Sequence, residues 1–135
     1  MHNLAFRAWD KKNKRMFYAG SLSGVGDFYM AQHKDDINFY ERFLIDYEWT
    51  RSTGIESYNR KTIFENDIVK DDTNIYVVRF GNYKANNNRI YNNEVAYGFY
   101  IESLSHKGVI DHATRIEYYE VIGNIYENPE FLEDK

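Results

Sequence analysis

Hydrophobic and polar positions alternate along most of this chain with a period of two. Residues 4–9, "LAFRAW", set Leu4, Phe6 and Ala8 against Ala5, Arg7 and Trp9, the pattern of a strand partly covered on both faces. "DKKNK" follows as a charged turn and "RMFYAG" returns as a second strand, so residues 4–20 form a predicted hairpin. Residues 35–51 carry two patterns: Ile37, Tyr40 and Tyr47 fall near helical spacing, while Phe43, Ile45, Tyr47 and Trp49 alternate. The β-branched and aromatic content favours a strand over 43–50, with a short turn of helix before it. Further strands are predicted at 67–71, 74–81, 95–102 and 115–123. Between them, the asparagine-rich 82–94 reads as an exposed loop or hairpin tip. Asn128-Pro129 marks the start of a short C-terminal helix, with Asn as N-cap and Pro as first helical residue. No helical period is sustained, and no repeat or linker interrupts the pattern. The expectation is a single domain over residues 1–135, mainly β, built as a small SH3-like barrel or sandwich.

Composition strengthens this picture. The 13 Tyr and 9 Phe among 135 residues favour pleated, half-buried surfaces and let a 43% hydrophobic chain build a core. A formal net charge of −4 argues against nucleic acid as the main partner, because phosphate neutralisation needs many Lys and Arg. The absence of Cys excludes disulfides, thiolate nucleophiles and Cys-based zinc sites, and suits a reducing cytoplasm. Charges interrupt the N-terminal segment, and no apolar run approaches the ~20 residues a bilayer requires. A cytoplasmic location with no membrane partner is expected.

Candidate chemistry is sparse. Gly20, Gly24 and Gly26 lack the Lys-Ser/Thr of a P-loop and the full dinucleotide pattern, so they read as loop glycines. His2, His33, His106 and His112 have no recognised ligand spacing, and no nucleophile elbow appears. Neither cofactor, metal nor catalytic residue is expected. Arg7, Lys11, Lys12, Lys14 and Arg15 cluster on the first hairpin among Phe6, Trp9, Phe17 and Tyr18, which could stack bases while tracking phosphates; a solvated turn between core strands is the plainer account. Glu127, Glu130, Glu133 and Asp134 make the C-terminal segment acidic, beside apolar Ile125, Tyr126, Phe131 and Leu132.

Three segments carry more information. In "STGIESYNRKTIFENDIVK", Gly54 and Asn66 stand where the chain must turn sharply, Asp67 is placed to bond nearby amides, and Ile68-Val69 enter a buried strand. This segment, the N-terminal "FRAWDKKNKRMFY" and the C-terminal "YEVIGNIYENPEFLE" together resemble the YopX family of phage and prophage proteins from Gram-positive bacteria. The signature residues are Trp9, Asp10, Thr53, Gly54, Asn66, Asp67, Ile68, Val69, Gly123, Asn124, Ile125, Tyr126, Glu127, Asn128 and Pro129. The chain departs from the family pattern in having Asn59-Arg60 for Asn-Gly, and Asn66 where Gly usually precedes the Asp. Asn is the best substitute for Gly at positive φ, so these positions read as backbone geometry. The resemblance implies a small, mainly β protein that self-associates, with an accessory role in the phage cycle and no active site to carry over. A binding or assembly module forming homo-oligomers is therefore expected, with Tyr126, Phe131 and Leu132 as candidate interface residues and a host or phage protein as possible partner. The rivals are a nucleic-acid-binding protein using the basic hairpin and an enzyme with an unrecognised site.

Overall fold

The computed structural model describes residues 6–19, 47–86 and 95–133. The chain divides into two compact units, Met1–Gly54 and Ile55–Lys135.

In the first unit, β1 (Phe6–Asp10) pairs antiparallel with β2 (Arg15–Ala19) and with the first half of β3 (Tyr47–Glu56). Arg7, Ala8, Trp9 and Asp10 are all buried, so β1 is covered on both faces, as its mixed alternation predicts. Phe6 meets Trp49 edge-on at 6.0 Å, and Phe17 stacks on Tyr47 at 6.0 Å.

In the second unit, the end of β3 pairs with β4 (Thr62–Phe64). A five-stranded antiparallel sheet follows, in the order β8 (Ile110–His112), β7 (Val95–Ser103), β6 (Ile75–Lys84), β5 (Asp67–Lys70), β9 (Glu120–Asn124). Its core is Ile63, Val69, Val78, Ile101, Ile116 and Val121, with Tyr76, Phe99 and Tyr119 packed against it. Each such aliphatic side chain contributes about 1.5–3 kcal/mol when fully buried.

One feature shapes this sheet. Gly81 faces Gly98 across β6 and β7, at φ 145° and 146°, a region open in practice only to glycine. Beyond the pair, Tyr83 lies opposite Ala96, yet its ring stacks 4.7 Å from Tyr100, which lies opposite Arg79. In a flat ribbon those rings would stand roughly 13 Å apart along the strand. The ribbon therefore folds over at the glycines. Just past β6, the Asn86 amide donates to the Ile110 carbonyl, while its side chain accepts from Ile110 N–H and donates to the Gly108 carbonyl. That closes the outer edge of β8. At the other edge, the Asn59 side chain donates to the Val121 carbonyl and accepts from Val121 N–H, imitating a strand partner for β9.

The mainly β, two-sheet architecture agrees with the sequence pattern, and five details differ. The strand predicted over 43–50 runs on through Gly54 to Glu56. The strand predicted over 115–123 begins as a 3-10 turn, Ile116–Tyr118, because Arg115 takes a left-handed conformation and turns Ile116 into the core. The short C-terminal helix is one 3-10 turn, Pro129–Leu132; Pro129 opens it, but the Asn128 side chain makes no cap and turns back to Asn124. β4 and β8 were not foreseen, since three residues are too few to show a period. β6 runs on to Lys84 through the predicted loop. Residues 87–94 of that loop, residues 35–46 of the 35–51 segment, and Gly20, Gly24 and Gly26 lie outside the described residues.

Candidate functional site

Signature residues close several of the turns, while Trp9, Thr53, Gly54, Ile68 and Val69 lie within strands. Buried Asp10 closes the Lys11–Lys14 turn: its Oδ1 accepts from the amides of Lys12 and Asn13, and its Oδ2 accepts from the Asn13 side chain and from the Tyr47 hydroxyl. Burial alone would raise the Asp10 pKa, but these donors outweigh it and hold the carboxyl below its ordinary value. Trp9 is buried beside it. Gly54, expected at a sharp turn, lies instead within β3, where it takes φ 79°. Asp67, 2% exposed, accepts from the Phe64 amide at 2.8 Å, the turn-capping role its position predicts. Ile68 and Val69 behind it are fully buried. Asn66 takes φ 71°, and Arg60, the other departure from the family pattern, takes φ 59°.

The third segment folds onto the second. Asp67 pairs with Asn124, and the Ile125 amide donates to the Asn66 carbonyl. Asn124 Oδ1 accepts from the amides of Tyr126 and Glu127, and its side-chain amide donates to Glu127. Asn128 closes the same loop by accepting from Asn124 N–H, and a Cβ at Gly123 would collide with that Asn128 side chain. The run Gly123-Asn124-Ile125-Tyr126-Glu127-Asn128-Pro129 is thus one interlocked turn. Asn66 does more than supply a left-handed backbone: it accepts from Arg79 at 2.8 Å and donates to the Tyr126 hydroxyl at 2.9 Å.

A second cluster, not singled out from sequence, is formed by tyrosines of the five-stranded sheet. Tyr76 stacks on Tyr119 at 5.5 Å, and its hydroxyl donates to Asp71, which also caps the Thr73–Asn74 turn. Across the sheet, the Tyr83 hydroxyl lies 2.6 Å from His112 Nδ1. Burial first, then the neighbouring Tyr76 phenol, then the carboxylates of Asp71 and Asp111, push the Tyr119 phenol up to about 12. Tyr76 and Tyr83 are raised chiefly by burial as well. These phenols stay protonated at neutral pH, which suits stacking and hydrogen bonding and does not suit a phenolate nucleophile. The spacing of Tyr76, Tyr83 and Tyr100 on two strands was the available signal, but only the fold at Gly81 and Gly98 brings the last two together.

The remaining candidates are dispersed. Tyr126 and Phe131 are half-buried, and Leu132 is exposed. In the basic hairpin, Lys11, Lys12, Lys14 and Arg15 are exposed, whereas Arg7 is buried with its Nε donating to Thr50. Of its aromatic residues, Tyr18 is exposed and Trp9 is buried. His106 is exposed and His112 is held by Tyr83; His2 and His33 lie outside the described residues. Among the described residues, no three His, Asp or Glu side chains gather as metal ligands, and no helix is long and apolar enough to cross a membrane.

The family model described as YopX protein matches residues 5–133, which takes in all three segments. The chain belongs to the YopX family. It is also similar to the crystal structure of protein EF1440 from Enterococcus faecalis, at 22% identity and a TM-score of 0.49, over 96% of this chain and 97% of that one. None of the curated proteins matches it.

Proposed function

We propose that this chain is a phage or prophage accessory protein acting as a binding and assembly module: it forms homo-oligomers in the bacterial cytoplasm, docks a host or phage protein, and catalyses no reaction. The observation that carries the reading is the set of large aromatic side chains left in water. Tyr58, Tyr97 and Tyr118 are each at least 69% exposed, and Tyr18 and Trp49 are exposed beside them in rank. Tyrosine is favoured at interfaces because its ring buries area while its hydroxyl stays satisfied. Two further features support the reading. The family signature is consumed in closing turns and filling strands, and the tyrosine cluster holds neutral phenols instead of activated ones. Both exposed edges of the five-stranded sheet are closed at Ile110 and Val121, so association through side-chain surfaces is favoured over edge-to-edge strand pairing. A nucleic-acid role for the hairpin would draw on Lys11, Lys12, Lys14 and Arg15, but burial of Arg7 and Trp9 removes two of the groups it needs. Light scattering of the full chain at micromolar concentration tests the reading. A species of at least twice the chain mass is expected, and a monomer would end it.

A further inference from the structure

Two of the left-handed residues are arginines, and each stands beside an exposed tyrosine. Arg60 (φ 59°) lies two residues after Tyr58, which is 77% exposed. Arg115 (φ 61°) begins the 3-10 turn that carries Tyr118, 69% exposed. The two turns are joined by a hydrogen bond from the Tyr58 amide to the Tyr119 carbonyl, at 2.9 Å. Residues other than Gly, Asn and Asp seldom take this backbone conformation. Among the described residues, neither guanidinium has a side-chain partner. Lys61, Glu56 and Glu117 in and beside the same turns are exposed too, so three cations stand against two carboxylates in number, a net positive, tyrosine-rich pair of turns on a chain of net charge −4.

The complementary surface is the C-terminal 3-10 turn. Glu130 and Glu133 are exposed, have no side-chain partner among the described residues and have no basic residue in their turn; Leu132 between them is 42% exposed. The two surfaces stand at opposite ends of β9. Tyr58 and Asn59 meet the chain at Tyr119 and Val121, while the C-terminal turns follow Asn124. Five residues of strand separate them by about 16 Å.

We propose that the arginine–tyrosine surface of one copy receives the Glu130–Leu132–Glu133 turn of a second copy, in a head-to-tail contact. This deepens the self-association reading and rests on it. Arg and Tyr are the side chains that most often dominate interface energies, and apolar contact to Leu132 between charge pairs fits such a seat. Two different surfaces in contact make the interface heterologous, so it propagates from copy to copy until a ring closes.

Charge reversal tests it. Arg60→Glu with Arg115→Glu in one full-length variant, and Glu130→Arg with Glu133→Arg in another, should each weaken self-association at least tenfold by analytical ultracentrifugation. Circular dichroism should match the parent chain in both. An equimolar mixture of the two variants should recover assembly, because each reversed surface then meets its complement. Self-association unchanged in both variants would overturn this pairing of surfaces while leaving self-association standing, and would leave the arginine–tyrosine surface to another acidic partner. A wild-type chain that sediments as a monomer would overturn both.

Discussion

At the scale of the residue, the family signature is a set of side chains that finish what the backbone leaves undone. Asp10, Asp67 and Asn124 each satisfy amides of a tight turn, one in each signature segment. Asn66 combines two demands, a left-handed backbone and a bridge from Arg79 to Tyr126. The two demands are separable. Asn66→Gly keeps the backbone and loses the bridge, at about 1 kcal/mol. Asn66→Val loses the bridge and adds strain, a further 1–3 kcal/mol. Urea denaturation should rank the parent above Gly and Gly above Val. Equal midpoints for the two variants would show that the left-handed conformation is not what the position requires.

At the scale of the element, strands of four residues or more were legible because their pattern is long enough to read. The hairpin of Arg7 and Phe17, the Ile68-Val69 strand and the 95–103 strand all follow their patterns. What escaped has a physical reason in each case. Three-residue β4 and β8 owe their pairing to neighbours more than to their own pattern. Tyr118 follows a left-handed Arg115, and no pattern of hydrophobicity announces that. Asp67 as a turn cap was legible from its place after Asn66, but the Asn66–Tyr126 bridge spans 60 positions and depends on the fold. Gly81 and Gly98 fall within the predicted strands 74–81 and 95–102, and no pattern of hydrophobicity marks them as the residues that set the shape of the sheet. Gly98→Val should cost about 1–3 kcal/mol, since φ near 146° is all but closed to a β-branched residue. It should also separate the Tyr83 and Tyr100 rings, visible as a change in near-ultraviolet circular dichroism. An unchanged spectrum and midpoint would mean that the bend does not depend on glycine.

At the scale of the whole molecule, burying phenols ties stability to alkaline pH. Tyr119 ordinarily titrates at 10.0 and is pushed up to about 12 in the folded chain. Folding therefore favours its protonated form, so this contribution is fully present below pH 10 and is lost as pH rises toward 12. Two pH units correspond to roughly 2–3 kcal/mol. Raised values at Tyr76 and Tyr83 act in the same direction. Unfolding midpoints should fall between pH 10 and 12, in step with phenolate absorbance, and Tyr119→Phe should flatten that fall. An equally steep fall in the variant would place the titration elsewhere.

The order of strands in the five-stranded sheet also has a consequence for synthesis. β9 closes the edge beside β5, and Asn59 then clasps β9 at Val121, 62 positions further along the chain. Every strand that β9 must join is made before it. While the ribosome is still short of Glu120, β5 has one side unpaired and the Asn59 side chain has no backbone to hold. The nascent chain therefore carries an open strand edge until Glu120–Asn124 have emerged, and that interval is when a chaperone, or a neighbouring nascent copy, has most to offer it.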